Sequence, residues 1–234
     1  MWLKEYRVLH FMVIFSLSFM DLNKNFVNRM NKFPSDFIFG VATSAYQTEG
    51  AWNVSNKGES IWDKMIHEHS YTIDDRTNAD IATNSYYMYK TDINLAKQLG
   101  ANAYRISISW PRILPNGFTS DINQDSIDFY SGWVNPLIVD WFVDYARVVF
   151  DAFGDRVKNW FTFNEPNFYC MFGYDGLFPP QINQSGIASY ICGHNALLAH
   201  AKTYRLYNEQ FRNKQRGLEG YSFIRYSISL WSPY

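Results

Sequence analysis

The chain has 234 residues, of which 47% are hydrophobic and 18% charged, enough to build one large domain around a sizeable core. Its 21 basic and 22 acidic residues leave a net charge of −1 without a long basic run, so neither a nucleic acid nor a membrane surface is expected as a partner. Aromatic residues reach 19%, which suits a large packed core and equally a cleft where flat rings stack.

In chain order, Lys4 and Arg7 precede the apolar run Phe11–Met20. That run has the length of a signal-peptide core and is too short to span a bilayer. Residues 1–25 are therefore expected to be a signal peptide and the protein to be secreted. FIFGVATSA (Phe37–Ala45) reads as a first strand. A helix ending at Gly100 should turn Tyr89, Ile93 and Ala96 inward. NAYRISISW (Asn102–Trp110) alternates, with Tyr104, Ile106, Ile108 and Trp110 on one face and Arg105, Ser107 and Ser109 on the other. The spacing predicts a helix over Pro136–Phe153, opened by Asn135 and Pro136 and closed by Gly154, burying Leu137, Ile138, Trp141, Phe142, Tyr145, Val148, Val149 and Ala152. WFTFNE (Trp160–Glu165) is a third strand. A further helix over about 187–211 should bury Ile187, Ile191, His194, Leu198 and Ala201. YSISL (Tyr226–Leu230) reads as a fourth strand.

Strands alternating with helices call for a parallel sheet with helices outside. An open doubly wound sheet wants apolar side chains on both faces. The second strand instead carries Arg105 and two serines on one face, as a closed barrel tolerates near its mouth. No strand is followed by G-x-G-x-x-G or a phosphate-cradling loop, and no Cys/His cluster has metal spacing; no cofactor and no metal are expected. Cys170 and Cys192 are read as free buried thiols, since two cysteines make no framework. Asn53-Val54-Ser55 and Asn183-Gln184-Ser185 are acceptor sequons. His67 and His69 read as solvated loop residues.

The third strand ends on Asn164 and Glu165, closed by Pro166. In a β/α barrel, reactive groups project from the C-terminal ends of strands. A carboxyl set among aromatic side chains has its charged form disfavoured by desolvation, and a protonated carboxylic acid can donate to a leaving oxygen. Asn164 beside it offers a donor and an acceptor to a substrate hydroxyl. Read alone, N-E-P is an ordinary strand stop.

The neighbouring stretches change that reading. FPSDFIFGVATSAYQTEGAW (Phe33–Trp52), KGESIWD (Lys57–Asp63), YRISISWPRILPNG (Tyr104–Gly117), NPLIVDWFVDYARVVFDAFGDRVKNWFTFNEP (Asn135–Pro166) and HNALLAHAKTYRLY (His194–Tyr207) together resemble glycoside hydrolase family 1, the β-glucosidase, lactase and myrosinase group. The wording of the long helix is most similar to insect members. The resemblance covers residues 33–234 and implies an α/β fold, a (β/α)8 TIM barrel, and retaining hydrolysis of a β-glycoside small-molecule substrate. It implies Glu165 as the acid/base, Asn164 on the sugar 2-hydroxyl, Gln47 on hydroxyls of the glycone, and Arg105 in the sugar site beside the nucleophile, keeping it ionised. Glu49 and Trp52 read as structural companions of the motif, and His194 as a core histidine.

Two departures from the family pattern stand out. The family's nucleophile lies in a later T-E-N-G-like motif, which these 234 residues lack; after Glu165 the glutamates are Glu209 and Glu219. The family's text between IDFY and GWVN carries a helix and a third strand ending in Y-H-W-D, whereas here Ser126–Tyr130 runs straight into SGWVNPLIVDWF. At least one βα unit, on the order of 30 residues, is missing. The expectation is an incomplete barrel holding strands 1, 2, 4 and 5, a truncated or exon-skipped chain without activity of its own.

Overall fold

The structure is a computed structural model that describes residues 37–117, 132–157, 159–215 and, for the backbone, 224–226. The predicted signal segment 1–25 and most of YSISL lie outside these residues. A short N-terminal unit ends at Ile38 and a large one spans Phe39–Tyr234; the fold described below is that of the large unit.

Strand β1 (Gly40–Ala42) pairs in parallel with β2 (Ala103–Arg105), Ala42 opposite Arg105. Strand β3 (Trp160–Phe163) pairs in parallel with β4 (Ile224–Tyr226), with an irregularity between Phe161 and Phe163. The two pairs form separate sheets, with no β2–β3 ladder among the described residues. That is the pattern expected when the strand between them is absent. Strand β2 stops at Arg105, well short of the predicted Trp110, and Ile106 is 63% exposed. The predicted apolar face is therefore not covered at Ile106, and the ladder ends where its partner β1 ends, with Ala42 opposite Arg105.

The first helix, α1 (Ile61–Glu68), follows from the KGESIWD stretch. The Ser60 hydroxyl accepts from the Asp63 amide (3.1 Å) and the Asp63 carboxylate accepts from the Ser60 amide (2.9 Å), a reciprocal capping box. The buried Asp63 carboxylate also meets the Lys57 ammonium at 2.6 Å, so its charge is paired inside the fold. His67 therefore sits on a helix rather than in a loop.

Helix α2 (Ser85–Gln98) carries the predicted inward set, yet only Ala96 is buried; Tyr89 and Ile93 remain exposed alongside Tyr87, Leu95 and Leu99. The helix connects β1 to β2, both of which are present, so the expected inward set is contradicted at Tyr89 and Ile93. Helix α3 (Ile138–Phe153) starts two residues later than predicted, because Pro136 and Leu137 form a turn in which the Asn135 side chain accepts from the Leu137 amide at 3.0 Å. Its buried stripe is Ile138, Val139, Phe142, Ala146, Val149 and Phe150, while Leu137 is exposed. Gly154 is not left-handed (φ −67°). A Cβ there would run into the Gln215 amide and the Phe150 carbonyl, so close approach, rather than a cap, requires the glycine.

Helix α4 (Pro166–Tyr174) leads to α5 (Ala188–Leu206), which runs into a π-helical turn, Tyr207–Phe211. The face that α5 buries is the opposite of the one its large residues predict. Ala188, Cys192, Asn195, Ala196, Ala199, Thr203 and Leu206 are buried; Ile187, Ile191, His194, Leu198 and Ala201 are exposed, Ile187 at 68%. Small side chains let α5 lie close against α3 and α4, and area alone does not decide which face goes in. His194 is thus a surface histidine, not a core one. Cys170 on α4 and Cys192 on α5 form a disulfide with Cα atoms 5.5 Å apart, which corrects the free-thiol reading: two helices packed side by side bring the cysteines within bonding reach. Closing a loop of this length contributes on the order of 3 kcal/mol in the chain-entropy account.

The core sits between β3 and helices α3–α5. Trp160 packs with Phe150, Tyr207 and Phe211; Phe163 packs with Ile138, Phe142, Ala196 and Ala199. Trp110, just beyond β2, stacks on Tyr145 of α3 at 4.6 Å between ring centres.

Candidate active site

Four side chains carry the sequence reading, and the fold supplies them from three places. Strand β3 ends at Phe163, and Asn164 and Glu165 follow at its C-terminal end. Glu165 is half-buried and left-handed (φ 48°, ψ 55°), and its carbonyl accepts from the Phe168 amide at 2.9 Å. For a residue with a Cβ that backbone is disfavoured by about 1–3 kcal/mol, a kind of strain that clusters at functional positions. Pro166 opens α4 and disfavours the right-handed helical region for Glu165, but it favours extended backbone there and so does not itself account for the positive φ.

Arg105 ends β2. Its guanidinium donates from Nη2 to the Asn164 Oδ1 at 2.7 Å and lies 4.9 Å from the centre of the Phe161 ring. Arg105 and Asn164 therefore join the two strand pairs directly. With one lone pair of its oxygen taken by the guanidinium, Asn164 still offers its NH₂ donors and a second lone pair to a ligand. Gln47 lies in the helical turn Ala45–Thr48 that follows β1. The Thr43 amide donates to the Arg105 carbonyl at 3.0 Å and the Ala45 amide to the Ser107 hydroxyl at 2.7 Å, which sets this turn beside the end of β2. Gln47 itself is exposed and, among the described residues, makes no hydrogen bond to Arg105, Asn164 or Glu165. The structure thus gathers Arg105, Asn164 and Glu165 and leaves Gln47 at the margin.

Three of the other described carboxylates are engaged elsewhere. Glu49 binds Arg112 at 3.0 Å, Asp63 binds Lys57, and Asp140 binds Lys202 at 2.7 Å. Glu209 is exposed in the π-helical turn, and Glu219 lies outside the described residues. Arg112 also reaches the Gly50 and Ala51 carbonyls and lies 4.5 Å from the Tyr86 ring centre, so Glu49 holds the loop after β1, as the structural reading expects. A cavity of about 200 Å³ lined by Tyr46, Trp52, Trp62, Ser107 and Trp110 opens nearby, and none of the four site residues lines it. Burial, aided by Asp63 and Asp80, pushes the Tyr46 phenol up to about 12. Among the described residues no cluster of three metal-ligating side chains occurs and no helix is long and apolar enough to cross a membrane.

One cluster is missed by the sequence reading. His67 Nε2 donates to the Asp80 carboxylate at 2.8 Å, and the ring lies 3.6 Å from Glu59 and meets Trp52 edge-on at 4.6 Å between ring centres. The capping stretch around Ser60 was the available signal that His67 is helical. The Asp80 hydrogen bond raises the His67 pKa, against a smaller opposing effect of burial, with further help from Glu59 and Asp63. A raised folded-state value means the tether is fully present below the ordinary histidine range and weakens as pH rises through the raised value. The expected result is lower amide protection around 67–80, after correction for the intrinsic base-catalysed rate, above neutral pH than at pH 6, with that difference in protection lost in His67→Gln.

Parallel βα units with an amide and a carboxylate at a strand's C-terminal end, the amide held by an arginine of another strand, are the build of a β/α barrel with a polar site at its mouth. The comparisons with known proteins name the family. The model for glycosyl hydrolase family 1 matches residues 29–131 and 131–226, and its two segments meet where the third-strand unit is missing. The chain is 43% identical over 249 positions to a chloroplastic benzoxazinyl glucoside β-D-glucosidase 2 of Zea mays, covering 86% of this chain and 44% of that enzyme. It is 42% identical over 217 positions to Myrosinase 1 of Brevicoryne brassicae, covering 80% of this chain and 47% of that one. Among solved structures, aphid myrosinase superposes with a TM-score of 0.77 at 41% identity over 85% of this chain and 48% of its own. A family 1 β-glucosidase from Thermotoga maritima gives 0.72 at 35% identity over 83% and 49%. The chain belongs to glycosyl hydrolase family 1, and its fold is an incomplete (β/α)8 barrel. It spans about half the length of the relatives it matches. The maize alignment, at 249 positions, is longer than the 234-residue chain itself, so the relative has residues with no counterpart inside the matched stretch.

Proposed function

We propose that this chain carries the acid/base half of a retaining β-glucosidase-like active site. The observation that carries the reading is the Arg105–Asn164 hydrogen bond at 2.7 Å beside Glu165. It fixes the sugar-binding amide next to the proton donor at the C-terminal end of β3. In the double displacement of a retaining enzyme, Glu165 protonates the leaving oxygen while a second carboxylate, about 5–5.5 Å away, attacks the anomeric carbon. Glu165 then deprotonates the water that releases the sugar. Asn164 donates from its NH₂ to the 2-hydroxyl, and Arg105 orients Asn164 and favours the ionised form of the attacking carboxylate. Gln47, in the turn after β1, is the side chain that would reach the glycone hydroxyls in a complete barrel.

The 234 residues contain no T-E-N-G stretch, and the missing third-strand unit removes a sugar-contacting histidine. By itself this polypeptide is therefore expected to leave an aryl β-glucoside intact. Turnover by the purified chain that Glu165→Ala abolishes would overturn that expectation.

A further inference from the structure

Two features play no part in catalysis: the pair of acceptor sequons and the disulfide. Asn53 lies in the tight turns that follow the Ala45–Thr48 segment, where Ser55 and Asn56 are both left-handed (φ 56° and 58°). Asn183 lies in the loop between α4 and α5, inside the segment that the Cys170–Cys192 disulfide closes. Both asparagines are exposed, and among the described residues neither carboxamide makes a hydrogen bond. A bulky group on either Nδ2 would displace no internal contact. Both sequons belong to connections that leave the C-terminal ends of strands, so neither disturbs a helix or a ladder.

The disulfide is an independent observation on the compartment. Such bonds form and persist in oxidising compartments, where asparagine glycosylation also takes place. The basic and apolar N-terminal stretch Lys4–Met20 is of the kind that directs a chain there.

We propose that Asn53 and Asn183 each carry an N-linked glycan, and that the chain matures in the secretory pathway. In the transfer, the asparagine Nδ2 forms a bond to C1 of a lipid-linked oligosaccharide. The C1–O bond to the lipid pyrophosphate breaks, the pyrophosphate leaves on the lipid, and the amide gives up one proton. The acceptor hydroxyl must be free at that moment. In the folded chain Ser55 Oγ is engaged by the Tyr86 hydroxyl at 2.7 Å, so modification of Asn53 precedes folding of this loop and does not depend on it.

The test is expression of the whole chain, with its own N-terminus, in cultured insect cells. The expected result is a protein whose gel mobility rises in two steps on peptide-N-glycosidase treatment, with Asn53 and Asn183 read afterwards as Asp by peptide mass spectrometry. Asn53→Gln and Asn183→Gln each remove one step. Ser55→Ala removes the Asn53 step, Ser55→Thr retains it, and Tyr86→Phe, which loses the hydroxyl contact but leaves the sequon, retains it too. A chain that stays unshifted overturns the proposal. So does a step that survives the matching Asn→Gln change, or loss of the Asn53 step in Tyr86→Phe, which would tie modification to the folded loop.

Discussion

In a chain completed with the third-strand unit between Tyr130 and Ser131 and with the second half of the barrel from the maize relative, Glu165→Ala is expected to lower kcat/KM for an alkyl β-glucoside by about 10²–10⁴-fold. That range corresponds to about 3–5 kcal/mol of lost transition-state stabilisation. An alkoxide leaves poorly without a proton, so the loss should be largest for alkyl glucosides. A dinitrophenyl glucoside, whose leaving group is stable as an anion, should keep most of its rate in the first step. Release of the sugar, which needs Glu165 as a base, then becomes limiting. Glu165→Gln should behave alike while preserving shape, since an amide neither donates that proton nor accepts one from water. Arg105→Met is the contrast. It frees the Asn164 oxygen from its 2.7 Å partner and should raise KM and slow all substrates without changing their ranking by leaving group. The completed chain turning over both substrates equally after Glu165→Ala would remove Glu165 from the proton-donor role.

The parts of this site legible in the sequence are those set by local pattern. Alternation along Asn102–Trp110 placed Arg105 on the face opposite Tyr104 and Trp110, and the proline after Glu165 marked the end of β3. Their meeting across two sheets is what the fold adds. Residues whose role depends on a neighbour were less legible. The face of α5 was misread because Ala196, Ala199 and Cys192 are small. A stripe of small residues signals close helix contact only once the opposing helix is known. The disulfide hid for the same reason, being a property of α4 against α5. The bare faces of α2 and Ile106 carry the opposite lesson. Tyr89, Ile93 and Ile106 were expected to be covered and are exposed; for Ile106 on β2 the absent unit that follows β2 removes the helix that would cover it. Gln47 is exposed as well.

The stability of the chain should be as unequal as its packing, and Phe142 is where the difference is largest. It is 6% exposed and lies 4.5 Å from the Phe163 ring centre, 5.7 Å from Trp133, 5.8 Å from Trp110 and 5.9 Å from Tyr145. It joins α3, β3, the segment after β2 and the turn before α3. Phe142→Ala is expected to cost about 3–5 kcal/mol, from lost transfer and an unfilled cavity. The loss exceeds area alone because offset and edge-on aromatic pairs add about 0.5–1.5 kcal/mol each. Phe142→Leu, which keeps most of the volume, should cost far less. Urea denaturation followed by tryptophan fluorescence reads the difference, with Trp110 and Trp133 reporting from either side of the ring. Limited proteolysis reads its distribution. The half containing β1, β2 and α2, with Tyr87, Leu95 and Leu99 exposed, should be cut first in the unaltered chain, since local opening is easiest where few apolar contacts hold. Phe142→Ala should then open α3–α5 to cleavage at a comparable rate. Equal loss of stability in the alanine and leucine variants would show that shape around Phe142 is immaterial, and with it the claim that this ring holds β3, and so Glu165, in place.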